Sequence, residues 1–144
     1  MVVKVGVAGL GISGYHNHLK PLDAMNEFKI VALCDVSKTL LKQRMSEFGV
    51  LKGYADFSQM VRDPEVETVI IATHPASHAN LAIAAANAGK SIVVEKPMAV
   101  TMDEVDGMIK AAEGNGVLLT VFQNRRWDSD YLTLKNTLDK GLIG

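Results

Sequence analysis

Three glycines near the amino terminus have a spacing that is typical of phosphate recognition. Gly9, Gly11 and Gly14 follow the valine-rich run of residues 3–8 and precede a stretch with helical spacing. In this G-x-G-x-x-G pattern the first glycine permits a tight turn, the second lets a pyrophosphate approach the backbone, and the third lets the helix pack closely. The helix start adds free N–H groups and a positive dipole end. The spacing predicts a dinucleotide-binding loop; a glycine-rich turn without a ligand is the alternative.

An acidic residue stands where such a loop requires one. Asp35 ends a second apolar run, residues 29–34, and lies 21 residues beyond Gly14. At about this distance a carboxylate can accept hydrogen bonds from the adenosine ribose hydroxyls. The alternative is that Asp35 caps the helix that begins near Lys38. The order of strand, glycines, helix, strand and acid favours the ribose role.

A polar loop follows the apolar run of residues 68–72. Its sequence is Thr-His-Pro-Ala-Ser-His, residues 73–78. If the run is a buried strand, this loop lies at the strand's carboxyl end and could flank the pyrophosphate or the nicotinamide ribose. Helix capping by Ser77 is an equally good explanation for the loop around His78, and the role of His74 is left more open still.

A charged tripeptide follows the next apolar run, residues 91–94. Glu95, Lys96 and Pro97 then lie at the predicted mouth of the ligand crevice. Adjacent Glu and Lys side chains can hold each other's charge states. A lysine there can donate a hydrogen bond to a substrate hydroxyl or alkoxide and polarise it for hydride departure, while the proline stiffens the loop. A solvated charge pair at a strand end is the alternative.

A dense polar and aromatic cluster follows the last apolar run. Residues 123–128 read Gln-Asn-Arg-Arg-Trp-Asp. Asn124 is a candidate contact for substrate or for the nicotinamide carboxamide, whereas the two arginines equally suit a partner domain. Asp128 is more simply explained as the cap of a final helix over residues 131–140.

The elements that must position these residues alternate between strands and helices. Apolar runs predict strands at residues 3–8, 30–34, 53–54, 68–72, 91–94 and 117–122. Helical spacing, capping residues and terminal glycines predict helices over residues 12–25 (broken or kinked at Pro21), 38–48, 77–88, 101–113 and 131–140, with a brief helix ending at residue 62. Strands separated by helices imply parallel pairing with right-handed crossovers. The predicted fold class is α/β, a doubly wound parallel sheet (Rossmann fold) with helices on both faces.

Composition bounds the possible functions. The chain has 144 residues, 48% of them hydrophobic and 22% charged, which fits one ordinary globular domain. The net charge of −1 suggests neither nucleic acid nor an anionic membrane as a partner. One cysteine, Cys34, allows no internal disulfide and suits the cytoplasm. No transmembrane run and no metal site are expected.

Together these segments resemble the Gfo/Idh/MocA oxidoreductases, the family of glucose–fructose oxidoreductase and inositol dehydrogenase. The resemblance covers nearly the whole chain. The Arg-Arg-Trp-Asp stretch is similar to the scyllo-inositol dehydrogenase branch. The residues that carry the resemblance are Gly9-Leu10-Gly11-Ile12-Ser13-Gly14, Asp35, the loop from Thr73 to His78, Glu95-Lys96-Pro97 and the stretch from Gln123 to Asp130. It implies an NAD(P)-dependent dehydrogenase acting on a sugar, polyol or inositol-like alcohol.

The resemblance also implies roles for individual residues. Lys96 matches the family's catalytic lysine, and Glu95 and Pro97 would shape the nicotinamide pocket, with a cis bond before the proline. Asp35 would select NAD because its carboxylate repels the 2′-phosphate of NADP, although nearby Lys38 keeps NADP open. Relatives usually have Thr-Pro-Asn where this chain has Thr-His-Pro. The implied cofactor-binding residues are Gly9, Gly11, Ile12, Ser13, Gly14, Asp35, Thr73, His74, His78, Glu95, Lys96, Pro97 and Asn124.

Family members are more than twice as long, which implies a domain boundary. Residues 1–122 are expected to form the dinucleotide-binding domain, and residues 123–144 a connecting helix leading to a missing substrate domain. This half alone is expected to bind cofactor but turn over little substrate, and the full-length protein to be a homo-oligomer. A non-catalytic dinucleotide-sensing or interaction module is the alternative. A methyltransferase that uses the same glycine pattern is a poorer one, since it leaves the Glu-Lys-Pro loop without a task.

Overall fold

The chain forms one six-stranded parallel sheet in a computed structural model that describes residues 2–143, so that Met1 and Gly144 lie outside it. The strand order is β3-β2-β1-β4-β5-β6. This confirms the predicted doubly wound sheet, although β6 is shorter than expected. The strands are β1 (Val3–Ala8), β2 (Phe28–Cys34), β3 (Lys52–Tyr54), β4 (Thr68–Ile71), β5 (Ser91–Val94) and β6 (Leu119–Val121).

Helices connect the strands in the predicted order. The first, α1, covers residues 12–23 and contains a π-helical segment, Gly14–Leu19, followed by α-helical Lys20–Asp23. A 3-10 turn at Asn124–Trp127 precedes the last helix. The other helices are α2 (Lys38–Phe48), α3 (Phe57–Val61), α4 (Pro75–Asn87), α5 (Met102–Gly114) and α6 (Ser129–Asp139).

Local signals in the sequence set several helix ends. The Ser37 hydroxyl accepts a hydrogen bond from the Leu40 N–H and caps α2, which ends at Gly49 with a left-handed φ of 64°. Thr101 and Glu104 form the predicted capping box at the start of α5. These side chains satisfy amide groups that a helix end otherwise leaves unpaired, so the boundaries of α2 and α5 follow from neighbouring residues alone.

Pro21 does not break α1, so the first of the two predicted outcomes, a break or a kink, is wrong. The helix continues to Asp23, because the turn ahead of the proline is wider than an α-helical turn. The Lys20 N–H bonds to the Tyr15 carbonyl, five residues earlier rather than four. Such a turn loosens the hydrogen-bond ladder at the point where proline has no N–H to contribute.

Helices cover both faces of the sheet, as predicted. On one face, Val7, Leu10 and Leu33 pack with Leu19 of α1 and Leu41 of α2. The other face carries a core in which strand residues such as Val69 and Ile71 pack with the buried alanines of α4 and with Met60 and Met108. Small residues let α4 approach the sheet closely, which places the loop before α4 at the edge where β1 and β4 end.

Cys34 ends β2 with its thiol buried inside the second of these cores. Burial, followed by the nearby carboxylates of Asp35 and Asp56, raises the pKa of the thiol to about 12. A thiol with such a pKa is protonated and unreactive in the folded protein.

Two features are absent from residues 2–143. No helix there has the length and hydropathy required to cross a membrane. The same residues hold no group of three or more His, Cys, Asp or Glu side chains suited to a metal ion.

The buried Asp63 carboxylate binds side chains of β3 near the edge of the sheet where the strands begin. This edge lies opposite the one where β1 and β4 end. Both oxygens of Asp63 accept from the Lys52 ammonium, at 2.8 and 3.0 Å, and one also accepts from the Tyr54 hydroxyl at 2.8 Å. The Glu65 N–H donates to the other oxygen at 2.9 Å. The bond from Lys52, opposed by burial, lowers the pKa of Asp63 to about 2.

We expect Asp63→Asn to lower the free energy of unfolding by about 1–3 kcal/mol at pH 7, because the amide satisfies fewer of these donors. The Asp63 pKa is depressed in the folded state, so its stabilisation is complete above about pH 4 and is lost as the pH falls towards 2. Urea unfolding from pH 7 to pH 2 measures both effects. Asp106→Asn, at an exposed position on α5, is the control. An equal loss of stability in both variants would contradict the role of Asp63.

Candidate functional site

The candidate site lies where β1 and β4 end side by side, the point at which the strand order reverses. Open α/β sheets bind ligands at this switch point, outside the carboxyl ends of the strands. Gly9 leaves β1 with a φ of 85°, in the left-handed region that favours glycine. A Cβ built there would lie 2.5 Å from the Ala72 carbonyl oxygen. Gly9 is therefore required both by the turn and by the neighbouring strand end.

Gly14 and Gly11 meet different surroundings. A Cβ on Gly14 would overlap the Gly9 carbonyl oxygen, so this glycine seats the helix against the loop itself as well as against the strand. A Cβ on Gly11 would meet nothing within 4 Å, and Gly11 is exposed. The exposed, side-chain-free backbone at Gly11 is the surface that a pyrophosphate needs for close approach.

The Asp35 carboxylate is held by two backbone amides. One oxygen accepts from the Leu10 N–H of the glycine loop at 2.9 Å, and the other from the Ser37 N–H at 2.8 Å. The cap of α2 is Ser37, so the alternative in which Asp35 caps that helix is wrong. A carboxylate oxygen that accepts one bond can accept another. The half-buried Asp35 thus fixes the loop and retains capacity for ribose hydroxyls.

The loop after β4 is ordered by its own side chains. His74 is the cap of α4, and its Nδ1 accepts from the Ala76 N–H at 3.4 Å. The Ser77 hydroxyl donates to the His74 carbonyl at 2.7 Å and pairs with the Thr73 hydroxyl, also at 2.7 Å. The suggested capping by Ser77 is therefore wrong, because α4 starts two residues earlier, at Pro75.

His78 lies beneath two loops rather than at the surface of the crevice. The residue is 1% exposed, with Nδ1 2.9 Å from the Pro97 carbonyl oxygen and Nε2 3.1 Å from the Thr73 carbonyl oxygen. A neutral imidazole donates to one of these carbonyls and a protonated one to both. Both ring nitrogens thus face backbone, and the side chain ties the loop after β4 to the loop after β5.

Glu95 and Lys96 point to different places. The Lys96 side chain is exposed and forms no ion pair among residues 2–143, whereas Glu95 is 4% exposed and turns towards α1. The prediction that the two side chains hold each other's charge states is therefore wrong. The Lys96–Pro97 peptide bond is cis, as expected.

Glu95 accepts hydrogen bonds from three side chains of α1. Its Oε1 lies 2.5 Å from the Ser13 hydroxyl, 3.1 Å from Asn17 Nδ2 and 3.1 Å from His18 Nε2. Burial raises the Glu95 pKa, but the bonds from Ser13 and Asn17 and the neighbouring His18 outweigh it, so the pKa lies below its usual value. Burial also lowers the pKa of His18. The result is an ionised carboxylate among largely neutral donors.

Asn17 and His18 were missed by the sequence reasoning. Both stand in a helix whose neighbouring residues, Leu19 and Leu22, are buried. The buried His18 requires a polar partner, and a histidine directly beside the apolar Leu19 is the one signal in the sequence that points to it.

Asn124 lies in the 3-10 turn after β6. It lines an open groove of about 1040 Å³ together with His18, Phe122 and Arg126. Asp128 occupies the cap position of α6, but its carboxylate accepts from Arg125 at 2.8 Å instead of capping the helix. Asp128 therefore occupies the predicted cap position, but the predicted capping hydrogen bond from its side chain is absent.

The comparison with protein families agrees with this geometry. A family model described as an oxidoreductase family with an NAD-binding Rossmann fold, GFO_IDH_MocA, matches residues 3–123. The chain belongs to the Gfo/Idh/MocA oxidoreductase family. It is the NAD-binding Rossmann domain of this family, which confirms the predicted cofactor class.

Curated relatives match along the whole chain. It is 35% identical over 141 residues to scyllo-inositol 2-dehydrogenase (NADP(+)) IolW of Bacillus subtilis, a match that spans 98% of this chain and 38% of that protein. It is also 35% identical over 147 residues to inositol 2-dehydrogenase of Salmonella typhimurium, spanning 100% of this chain and 44% of that protein. The chain thus spans less than half the length of these Gfo/Idh/MocA relatives.

Solved structures of family members share the fold. Scyllo-inositol dehydrogenase from Lactobacillus casei, with bound NAD(H) and scyllo-inositol, superposes with a TM-score of 0.91 at 26% identity. The match covers all of this chain and 43% of that one. A probable dehydrogenase from Thermotoga maritima gives a TM-score of 0.90 at 32% identity, covering 99% and 42% of the two chains.

The surroundings of Gly14 and Gly11 predict different effects on stability when each glycine is replaced by alanine. We expect Gly14→Ala to lower the melting temperature by several degrees or to prevent folding, because its Cβ overlaps a backbone carbonyl that cannot move away. Gly11→Ala, whose Cβ meets open space, should change the melting temperature by less than about 2 °C. Thermal unfolding followed by circular dichroism measures both. Equal losses of stability would contradict the separation of a packing glycine from a binding glycine.

Proposed function

We propose that this chain is the cofactor-binding half of a dehydrogenase that transfers a hydride between a nicotinamide dinucleotide and the hydroxyl carbon of a sugar, polyol or inositol-like alcohol. The observation that carries the proposal is the exposed Gly11 backbone beside a carboxylate that two amides hold at the same sheet edge. The names of the two curated relatives, both inositol dehydrogenases, support the substrate class.

Each part of the site has a task in this proposal. The amides at the start of α1 and the bare backbone at Gly11 would hold the pyrophosphate, and Asp35 would accept hydrogen bonds from the adenosine ribose. Ile12, 84% exposed next to Gly11, would cover the bound dinucleotide on its apolar side. The cofactor, when bound, supplies the hydride acceptor.

Lys96 is the proposed catalytic residue. Its ammonium is exposed at the carboxyl end of β5 and is not paired with the adjacent Glu95. It is therefore free to donate a hydrogen bond to the reacting hydroxyl and to stabilise the negative charge that develops on that oxygen as the hydride leaves. Thr73 and His74, in the loop after β4, and Pro97, beside the lysine, would border the nicotinamide half. Asn124, in the turn after β6, would contact substrate or the carboxamide.

NAD is the preferred cofactor in this proposal. A carboxylate at position 35 repels the 2′-phosphate of NADP, and its two amide donors keep it in place. Lys38, three residues on, is the group that would favour NADP. The relative from Bacillus subtilis is named as an NADP(+) enzyme, so the choice between the two cofactors requires measurement.

The proposal extends to the longer protein. In the longer protein, residues 1–122 would be the dinucleotide-binding domain, and residues 123–144 would connect it to a substrate domain. The greater length of the relatives supports such a second domain. We also propose a cytoplasmic homo-oligomer. Support for association comes from exposed leucines on α6, among them Leu134 and Leu138, about half exposed.

A dinucleotide-sensing module without catalysis is the second candidate. It accounts for the glycine loop and Asp35 equally well, but it leaves the exposed Lys96 at the carboxyl end of β5 without a role. Binding of cofactor alone does not separate the two candidates, whereas a requirement for Lys96 in hydride transfer by the longer protein would.

Isothermal titration calorimetry with NAD and NADP tests the binding proposal. We expect saturable binding of NAD, weaker binding of NADP, and at least tenfold weaker NAD binding by Gly11→Ala at unchanged stability. Thermal unfolding of the same samples shows that each protein is folded. No saturable binding of either dinucleotide by the folded chain would overturn the proposed function.

Asp35→Ser tests cofactor selection. Losing hydrogen bonds to a charged group is worth about 1.5–3 kcal/mol, so NAD should bind about 10- to 100-fold more weakly. NADP should be affected less, because the repulsion of its phosphate disappears. Asp103→Ser, at an exposed position in the first turn of α5, is the control. A loosened glycine loop would weaken both cofactors equally, so an unchanged NAD to NADP ratio would refute the selective role of Asp35.

A further inference from the structure

The Glu95 carboxylate joins two parts of the site that lie 77 to 82 residues apart in the sequence. One oxygen receives the Ser13, Asn17 and His18 donors of α1, and the other receives the backbone N–H of Lys96 at 3.2 Å. One buried side chain therefore holds the helix behind the glycine loop and the amide of the proposed catalytic lysine at the same time.

The π-helical turn of α1 makes this convergence possible. Ser13, Asn17 and His18 are separated by four and five residues, and in a regular α-helix positions i and i+5 do not face the same side. The i to i+5 hydrogen bonding of Gly14–Leu19 widens the turn, so that both Asn17 and His18 lie beside Ser13. The Asn17 amide also donates to the Ser13 hydroxyl at 3.0 Å, which holds the donors together.

The other contacts of His18 fix the position of this cluster in the fold. Its ring packs on Phe122, just after β6, with ring centroids 4.5 Å apart, and its side chain is 3% exposed. The Glu95 side chain is 5% exposed. A carboxylate buried to this degree keeps its charge only while its donors remain in place. The helix, β5 and the start of the segment after β6 are thereby locked together around one oxygen atom.

We propose that Glu95 is a positioning residue that sets the glycine loop and Lys96 at a fixed separation, so that cofactor binding at the loop and the placement of the lysine are coupled. This inference rests on the proposed function for the meaning of the coupling, but not for the linkage itself. It replaces the expectation that Glu95 contacts the cofactor, because its carboxylate faces α1 and both of its oxygens are engaged.

Glu95→Gln is the informative substitution. A glutamine keeps the size of the side chain but has one acceptor oxygen, and its other terminal atom is a donor. It can accept from α1 or from the Lys96 amide, but not from both. Asp63→Asn is the matched control, since Asp63 is also a buried carboxylate with several donors but lies at the opposite edge of the sheet.

Amide hydrogen exchange measured by NMR, with and without NAD, tests the proposal on the 144-residue chain. Without NAD, we expect the Lys96 amide to exchange at least tenfold faster in Glu95→Gln than in the wild type, and no faster in Asp63→Asn than its lower free energy of unfolding accounts for. With saturating NAD, exchange at Lys96 should slow in the wild type and in Asp63→Asn. It should change little in Glu95→Gln, whose NAD affinity should fall several-fold.

Each outcome decides a separate question. An unchanged Lys96 exchange rate in Glu95→Gln, or the same acceleration in Asp63→Asn, would overturn the positioning role. If wild-type protein failed to bind NAD, the proposed function would fail, while the cofactor-free exchange rates would still test the linkage. Should Glu95→Gln not fold, Ser13→Ala removes a single donor and should accelerate Lys96 exchange to a smaller extent; no acceleration there would also count against the proposal.

Discussion

Gly9 lies against two other pieces of backbone, and the cofactor edge of the sheet depends on those contacts. Its Cα faces the Ala72 carbonyl at the end of β4, and its own carbonyl faces the Cα of Gly14 in α1. A side chain at either glycine would force the strand ends or the helix apart. The backbone at Gly11 can remain uncovered only because its two neighbouring glycines allow β1, β4 and α1 to meet so closely.

Side chains hold the surrounding loops in relation to that contact. Asp35 bonds to the glycine loop, His78 lies between the loops after β4 and β5, and Glu95 reaches from β5 to α1. Each side chain directs polar atoms to groups of the protein itself. Loops fixed in this way lose less conformational entropy when a ligand binds. Substitutions at such positions would weaken function by moving the loops, even where the side chain touches no ligand.

Much of this arrangement could be predicted because its causes are local in the sequence. The bounds of α2, the Thr101 capping box and the parallel order of the strands follow from caps, terminal glycines and apolar runs. The error at Glu95 comes from partners in a distant part of the chain, whereas the errors at Ser77 and Asp128 come from local geometry that residue types alone do not reveal. Pro21 is tolerated because a π-helical turn precedes it, and Glu95 turns away from Lys96 because donors from α1 lie behind it. Neither reason is visible within a short window of sequence.

Cys34 sits one residue before Asp35, and its thiol is buried with a pKa near 12. Alkylating reagents attack the thiolate, so labelling has to wait until the end of β2 separates from the core. The rate of labelling then measures how often the end of β2 separates from the core. A dinucleotide bound through Asp35 would make this local opening rarer. The labelling rate of Cys34 would therefore fall on binding, and no added probe would be needed to follow it.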